Sequence, residues 1–468
     1  MFRLIVEKEL RDIIGSTKFA VTFLISALLI LLAFYVGARN YQLSRAEYET
    51  AVSEDLRQME GLTDWIQAEH SIFLPPQPLG ALVTGVSNDI GRNIGLSSRG
   101  SLAAEDSRFN DDPIFAAFRF LDLEFVFKIV LSLFAILFVY NAVNGEKEQG
   151  TLRLTFTNSV PRDTYMLGKV TGSFLALGLP LLIPMLLGCL ILVLMGVPLS
   201  ADEWMRLGVV SLGGFLLLGA FLTLSLLVST LTHRSSSAFL ALLVAWIFAV
   251  LIIPRTSVLL AGRSVEVLSS DEMNYQKARL RAQMWEEDKG KMSEFSPTSG
   301  NAQDAVKEFN AYMAEVARAR QERYEAAAGR LEEQRRNQEA VQQRLAFGLA
   351  RISPVSCFSL AAMNLAGTSL DLKEEYLRQA RAYRETYSRF ISDKTGGMRR
   401  GGLILRVMSE DQEEPEPIDP HEIPPFQFQP PQLETALSSS LLDLGILALF
   451  NIVFFAGAFI SFQRYDLR

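Results

Sequence analysis

The sequence has few of the side chains that most often hold metals or form disulfides. Among its 468 residues there are only two cysteines and three histidines. Cys189 and Cys357 each lie in an apolar stretch, which supports neither a disulfide framework nor a metal cage. His70, His233 and His421 lie in three separate segments. We therefore expect no catalytic residues, no metal site and no cofactor bound by this chain itself.

Motifs that carry catalysis or nucleotide binding are also missing. The patterns His-Glu-x-x-His, Gly-x-Ser-x-Gly and Gly-x-x-x-x-Gly-Lys-Ser/Thr do not occur in the sequence. Without a phosphate-binding loop of this type the chain cannot hydrolyse ATP by that route alone, and we predict that it is not an enzyme. The net charge of -7, with no basic stripe, argues against a nucleic-acid partner.

The apolar residues, 49% of the chain, are concentrated in six blocks. Each block meets or approaches the roughly 20 residues needed to cross a hydrocarbon core. The blocks are approximately Phe19–Val36, Phe125–Val143, Val170–Met195, Leu207–Leu231, Ala238–Ile253 and Leu441–Phe462. The first block runs past signal-peptide length and lacks a small-x-small cleavage site, so we interpret it as a retained helix. The sequence predicts an all-α membrane protein with six transmembrane helices.

Basic residues near the ends of these blocks predict the orientation of the chain. They fall on one side of the membrane under a six-span count, and that side is normally the cytoplasm. The residues are Arg3, Lys8, Arg11, Lys18, Lys147, Arg153, Arg162, Lys169, His233, Arg234, Arg464 and Arg468. We therefore expect both termini in the cytoplasm and two large insertions, Arg39–Glu124 and Arg263–Thr435, outside.

The segment before the first block has the pattern of an amphipathic helix. Apolar residues recur at helical spacing, and charged residues fill the other face. The apolar set is Phe2, Ile5, Val6, Leu10, Ile13 and Ile14, and the charged set is Glu7, Lys8, Arg11 and Asp12. We predict a helix that lies in the membrane interface. An ordinary surface helix on a soluble domain is the alternative.

The first insertion begins with a polar, helical run over Tyr41–Ala68 and continues into a stretch rich in Pro, Gly and Ser, which is typical of turns. Asp122, Glu124 and Lys128 then stand at the outer mouth of the second span. Charges at this depth either extend to the lipid headgroups or face a water-filled bundle interior, and the sequence does not decide between the two.

The second insertion begins with a long polar segment, Glu266–Ala350, that predicts paired helices with a thin apolar seam. Pro354–Leu365 is apolar but too short to span, which leaves a buried turn, an interfacial helix or a re-entrant segment open. Leu372–Ile391 reads as an amphipathic helix. The acidic, Pro-dense run Ser409–Gln432 predicts a semi-rigid tether, with a ligand for a proline-binding partner as the alternative.

The most specific pattern lies directly after the second block. It runs from Gly145 to Leu154, through Ser159-Val-Pro-Arg, and on to Leu167-Gly-Lys. The pattern predicts a short helix, a turn at a Gly, a second amphipathic segment that ends at a Pro, and basic residues where the chain enters the membrane again. Together these elements form a polar hairpin on the inner membrane face. The residues of interest are Glu146, Glu148, Gly150, Thr151, Arg153, Pro161, Arg162, Gly168 and Lys169. A tight loop with good turn chemistry is the alternative.

The run Glu-Lys-Glu-x-Gly-Thr-Leu, followed by Pro-Arg and then Gly-Lys, resembles the signature of ABC-2 type permeases, the membrane subunits of ATP-binding-cassette exporters. The resemblance implies that the hairpin holds a coupling helix that docks on an ATPase subunit. It makes the residues of interest above ATPase-coupling residues, with Glu148 and Arg162 in contact with that subunit. It also implies that the N-terminal helix is an interfacial connecting helix. The two insertions resemble a bacterial subgroup related to gliding-motility and nitrous-oxide-reductase maturation permeases. Compact members of the family have short outer loops, so their substrate paths do not carry over.

These inferences give one organisation for the chain. Its segments are a connecting helix (1–17), the first span (18–38), external insertion 1 (39–122), the second span (123–144), the coupling hairpin (145–169), spans three to five (170–262), a mainly helical external insertion 2 (263–408), the tether (409–436), and the sixth span with a cytoplasmic tail (437–468).

The resemblance implies a permease subunit that couples ATP hydrolysis by a separate ATPase to export or to mechanical work on an envelope partner. The implied partners are two copies of that ATPase, which would carry ATP and Mg, and a second permease copy or a related permease. A periplasmic or outer-membrane protein could meet the external helices. The implied location is the bacterial inner membrane. The competing hypothesis is a non-transporting scaffold or sensor with an external helical interaction domain.

Overall fold

The computed structural model describes residues 1–65, 68, 70–87, 90–96, 104–105, 122–157, 160–296, 302–394 and 417–464. Much of the Gly- and Ser-rich part of the first insertion, the acidic start of the predicted tether at 409–416 and the terminal Arg468 lie outside these residues. The described chain forms two compact units. The first comprises 1–254, 351–391 and 417–464, and the second comprises 255–350 and 392–394.

The chain begins with a short helix, α1 (Phe2–Ile14), and continues into a much longer one, α2 (Thr17–Met59). Ser16 separates them, and its hydroxyl oxygen accepts a hydrogen bond from the Phe19 amide at 3.1 Å, which caps α2. The polar run that we predicted as part of the first insertion belongs to α2 as far as Met59, and Glu60–Trp65 lies outside the helix. The predicted end of the first span at residue 38 is therefore not a helix end.

Gly37 lies inside α2 because another segment passes close to the helix there. A Cβ at this position would lie 1.8 Å from the carbonyl oxygen of Ala81, a distance that no side chain allows. The glycine thus serves close packing and does not interrupt the helix. A short 3-10 turn, Pro78–Ala81, supplies that carbonyl.

A small antiparallel sheet follows α2, with the order β1 (His70–Phe73), β2 (Asn93–Leu96) and β3 (Ala104–Glu105). Its register pairs Ile72 with Ile94, and both side chains are buried. We predicted turns and irregular structure in this region, and the sheet shows that this prediction was wrong for these strands. Each strand is four residues or shorter, and such short strands leave too few alternating positions to stand out in the sequence.

The next helices are α3 (Leu123–Glu148), α4 (Thr151–Thr157), α5 (Arg162–Leu194), α6 (Ala201–Leu231) and α7 (Ser235–Ser264). The helix α3 contains a π-helical stretch, Val126–Leu131, and α7 contains another, Phe248–Ile252. The long polar helices α8 (Ser270–Glu294) and α9 (Ala302–Ala350) come next. The last helices are α10 (Pro354–Ala366), α11 (Asp371–Lys394) and α12 (Leu433–Gln463).

Six of these helices, α2, α3, α5, α6, α7 and α12, are long and apolar enough to cross a membrane. The prediction of a six-span, all-α membrane protein is confirmed. In the first unit α6 is central and packs against α3, α5, α7, α10 and α12. Its glycines permit close contact, since a Cβ at Gly214 would lie 2.5 Å from the ring of Phe127.

The short apolar segment after the second insertion forms α10, a helix that packs against α6 and α12. Eleven of its thirteen residues are buried, so the segment is a buried helix and not a buried turn. Ser353 caps it, and its hydroxyl also donates a hydrogen bond to the carbonyl of Ala249 at 2.6 Å. That carbonyl lies in the π-helical stretch of α7, where the regular hydrogen-bond ladder is interrupted.

The second unit is built from α8 and α9, which run antiparallel. Cross-helix contacts join Lys277 to Glu332 at 2.6 Å, and the ring of Phe295 to that of Tyr312 at 5.1 Å between centroids. The paired helices are as predicted, but their seam is less apolar than expected. Asp288 is fully buried in it and forms ion pairs with Arg320 and Arg323. The attraction in such a pair is largely offset by the cost of removing the charges from water, so it is weak evidence for stability.

Candidate functional site

The hairpin between the second and third spans is built from the end of α3, a two-residue turn and α4. Gly150 in the turn has a φ of +71°, a conformation that residues with a side chain rarely adopt. A Cβ there would meet no atom within 4 Å, so the requirement for glycine comes from the backbone. Pro161 then precedes the first residue of α5, where its fixed φ suits a helix start.

The last turn of α3 is tied to the end of α6. The Asn144 amide nitrogen donates to the Thr232 hydroxyl at 3.0 Å, and the Ser229 hydroxyl donates to the Asn144 amide oxygen at 3.2 Å. The ammonium of Lys147 donates to the carbonyl of Thr230 at 2.7 Å. The Lys147 contact satisfies a free carbonyl in the last turn of α6, and the other two bonds join side chains, so the start of the hairpin is tied to the end of α6.

A buried ionic cluster, consisting of Glu9, Glu146, Tyr165, Lys169 and the more exposed Lys8, connects the hairpin to α1 and α5. The Lys169 ammonium lies 2.5 Å from a carboxylate oxygen of Glu9 and 2.9 Å from one of Glu146. Tyr165 donates its hydroxyl to the other oxygen of Glu146 at 2.7 Å, and Lys8 also contacts Glu146, at 2.9 Å. Two negative and two positive charges balance within the cluster.

The side chains of Lys169 and Glu9 are 5% and 8% exposed. At such burial each charge depends on its partner, because a buried charge without one costs several kcal/mol. The cluster therefore fixes α1 to α5 and fixes both to the hairpin.

Two glycines of α5 allow α1 to approach closely enough for this contact. A Cβ at Gly168 would lie 2.7 Å from Cγ2 of Ile5, and one at Gly172 would lie 2.7 Å from Cβ of Glu9. Gly168 was singled out from the sequence, and its role is packing against α1. A larger residue at either position would push α1 away from α5.

Glu148 and Arg162 make contacts at the ends of two other spans. The Glu148 carboxylate accepts hydrogen bonds from the Ser235 amide at 2.9 Å and the Ser235 hydroxyl at 2.8 Å. The first bond satisfies a free backbone N–H at the start of α7. The Arg162 guanidinium donates to the carbonyl of Gln463 at 2.5 Å, in the last turn of α12. We predicted contacts with another subunit for both residues. The structure gives each a contact within the chain.

The helix α4 has one face turned into the chain and one turned away. Leu152 is buried, and Phe156 packs against Tyr165 and Phe462 with ring centroids 5.3 and 5.8 Å away. Arg153 and Leu154 lie on the other face, where Leu154 is 65% exposed. Four exposed residues on α4 and in the turn before it, which we call the α4 face, are Gln149, Arg153, Leu154 and Thr157. Arginine is enriched in protein–protein interfaces, so Arg153 is the residue of this face that favours contact with another protein.

The carboxylates at the other end of α3 contact protein groups. Asp122 caps α3, because its oxygens accept hydrogen bonds from the amides of Phe125 at 2.8 Å and Thr84 at 3.2 Å. Burial raises the pKa of Asp122 to about 6, and the nearby charge of Glu124 adds to the shift. Glu124 accepts a hydrogen bond from the Ser359 hydroxyl at 2.6 Å, and Lys128 lies 3.6 Å from it.

Sequence reasoning missed Glu9 and Tyr165. A signal for Glu9 was present, because it stands four residues from both Ile5 and Ile13 on the apolar side of α1. A carboxylate in that position predicts a buried cation partner. Tyr165 gave no such signal. Within the part of the chain that the structure describes, no group of three His, Cys, Asp or Glu side chains is arranged to hold a metal ion.

Comparison with known proteins gives two matches. A family model described as ABC-2 family transporter protein matches residues 3–467 of this chain. A protein of Pseudomonas aeruginosa described as probable ABC transporter permease protein NosY is 32% identical over 163 residues. That alignment covers 34% of this chain and 57% of the relative, so the chain spans less than two thirds of the relative's length.

Proposed function

The chain belongs to the ABC-2 family of transporter proteins, and we propose that it is the membrane subunit on which a separate ATP-binding-cassette ATPase acts through the hairpin α3–α4. The observation that carries this proposal is the α4 face, in which exposed Arg153 and Leu154 stand on a helix anchored from behind by buried Leu152. A force applied to such a helix by a bound ATPase is transmitted to the spans, because the helix stays packed against them.

The ionic cluster supports the same role. Glu146 belongs to the hairpin, Lys169 to α5 and Glu9 to α1, so a displacement of the hairpin would be passed to the third span and to α1 together. Glu148 and Arg162 extend these connections to α7 and α12. The hairpin is thereby linked to four helices, as a coupling element requires.

The complete assembly in this proposal contains two such chains, identical or related, and two ATPase subunits that bind ATP and Mg. Closure of the ATPase pair would move the two hairpins and switch the spans between two arrangements. The work done is export, or mechanical action on an envelope partner through the long α8–α9 pair. The membrane is the bacterial inner membrane, with both termini in the cytoplasm.

Docking on the α4 face is tested by changing its exposed residues. We expect Arg153→Glu and Leu154→Asp to reduce co-purification of the ATPase about tenfold or more, which corresponds to about 1.4 kcal/mol of binding free energy. The amount of chain in the membrane should not change, since both side chains are exposed. The matched control is Arg384→Glu on α11, an exposed position with the same charge change. Wild-type co-purification with both hairpin variants would show that the ATPase binds elsewhere.

Orientation is tested by cysteine labelling of intact cells in a background without Cys189. A cysteine at Arg384, exposed on α11, should react with a membrane-impermeant thiol reagent. A cysteine at Asp163, exposed at the start of α5, should react only after the membrane is opened. The native Cys357 is buried and should contribute little background. The reverse pattern would place the termini outside and remove the hairpin from the reach of any cytoplasmic ATPase.

A further inference from the structure

A buried chain of hydrogen bonds joins the end of α2 to β1, to α11 and to the segment that leads into α12. Asp55 Oδ2 lies 2.6 Å from His70 Nδ1, and His70 Nε2 lies 3.1 Å from the Tyr383 hydroxyl. The Tyr383 hydroxyl donates to the carbonyl of Pro424 at 2.5 Å. The other oxygen of Asp55 accepts a hydrogen bond from the Ser71 amide at 2.9 Å. The side chains of Asp55 and His70 are 9% and 11% exposed.

The direction of each bond follows from which groups can donate. A proline carbonyl only accepts, so the single hydroxyl proton of Tyr383 is used on Pro424. The contact between His70 and Tyr383 then requires a proton on Nε2. A second proton must lie between Nδ1 and the Asp55 carboxylate, because two lone pairs would repel at that distance. The His70–Asp55 pair therefore holds two protons, one more than a neutral imidazole beside a carboxylate.

The other titratable groups around the ring do not supply this proton. Tyr387 lies 5.5 Å from His70 between ring centroids, and its hydroxyl donates to the carbonyl of Ala68. Burial raises the pKa of Tyr387 to about 12 and raises that of Tyr383 as well, so both remain phenols at neutral pH. The charged groups nearest in sequence on the packed elements are exposed: Glu54 on α2, Arg384 and Glu385 on α11, and His421 and Glu422 before α12.

We propose that Asp55, His70 and Tyr383 form a proton-dependent latch on the segment that leads into α12. The latch is closed when the His70–Asp55 pair holds two protons, because Tyr383 is then free to bond Pro424. Loss of one proton leaves Nε2 with a lone pair that attracts the Tyr383 hydroxyl proton. The Pro424 carbonyl then loses its donor, and the latch opens.

The segment keeps other contacts when the latch opens, so release is local. Gln429 exchanges two hydrogen bonds with Gln379 of α11, and the Ile418 amide donates to the carbonyl of Leu62. The part between them, around Phe426, packs its ring against Tyr383 with centroids 5.4 Å apart. Opening is expected to loosen this part.

Hydrogen–deuterium exchange of the full chain in detergent micelles measures the latch. After correction for intrinsic chemical exchange, peptides covering 420–429 should exchange about three- to tenfold faster at about pH 9 than at about pH 6, as expected for the loss of one hydrogen bond. The chain is used alone, so the result does not depend on the ATPase. Exchange that shows no such change in the wild-type chain would overturn the proposal.

Three variants give different expected results. Tyr383→Phe removes the donor, so the segment should exchange fast at both pH values. Asp55→Asn should keep exchange of the segment slow at both pH values. The introduced amide accepts a hydrogen bond from the Ser71 amide and donates one to His70 Nδ1. The single proton of the neutral imidazole then lies on Nε2, where it bonds Tyr383 without an extra proton. Tyr387→Phe is the control and should behave as the wild type. If Asp55→Asn retains the full pH dependence, the proton is not held by this pair and the latch is wrong.

Discussion

Replacing Lys169 with methionine is expected to destabilise the chain by about 3–5 kcal/mol, the usual cost of breaking a buried ion pair from one side. Lys169 lies within 3 Å of carboxylate oxygens of both Glu9 and Glu146. Without it, two buried carboxylates face each other with only the half-exposed Lys8 as a counter-charge. We expect α1 to separate from α5, and the coupling that we propose for the hairpin to be lost with that contact.

The measurement is unfolding of the purified chain in detergent, together with co-purification of the ATPase. Lys8→Met is the matched control, because Lys8 contacts the same carboxylate from a position that is 52% exposed. Its removal should cost less than about 1 kcal/mol. Combining Lys169→Met with Glu9→Gln should recover part of the lost stability, since one uncompensated charge is removed. Equal effects of Lys169→Met and Lys8→Met would mean that the cluster does not hold α1.

Replacing Arg351 with methionine is expected to cost a similar amount, about 3–5 kcal/mol, through Asp443. The Asp443 side chain is 0% exposed inside α12, and Arg351 contacts both of its oxygens, at 2.6 and 3.2 Å. A charged residue within a span is costly unless it is paired. Removing the guanidinium leaves the carboxylate with neither a counter-charge nor those two donors.

The paired variant Arg351→Met with Asp443→Leu tests this interpretation. It removes both charges, so its stability should lie well above that expected from adding the two single effects. Thermal unfolding of the four chains, wild type included, gives the coupling between the residues. Additive effects would show that each residue stabilises the bundle by packing alone, and that the ion pair contributes nothing.

The sequence predicted the six spans because each is a block of apolar residues long enough to cross a bilayer. It did not predict that α2 is one continuous helix, since the apolar block and the polar helical run after it were assigned to separate segments. Nothing between Arg39 and Met59 breaks a helix, because the run contains no Gly or Pro. Hydropathy marks the membrane-spanning part of a helix and does not mark its ends.

For the candidate site, the local sequence pattern predicted the hairpin and the glycine in its turn. A Gly between two helical segments is typical of a positive φ, which Gly150 has. The partners of its charges could not be predicted. Glu9 and Lys169 are far apart in the chain, and only folding brings α1 onto the glycine face of α5. Glu148 and Arg162 were recognised as important, but their contacts with α7 and α12 depend on how the spans pack.

The uninterrupted length of α2 has a mechanical consequence. Its 43 residues form a rod about 65 Å long at 1.5 Å per residue, roughly twice the thickness of the hydrocarbon core. A rod of this kind acts as a lever arm. If it pivoted by about 10° around its capped first turn at Ser16, its far end would travel about 11 Å, a geometric estimate from that length. Asp55 lies in that far part, so a small tilt close to α1 would produce a large excursion at the proton-dependent latch.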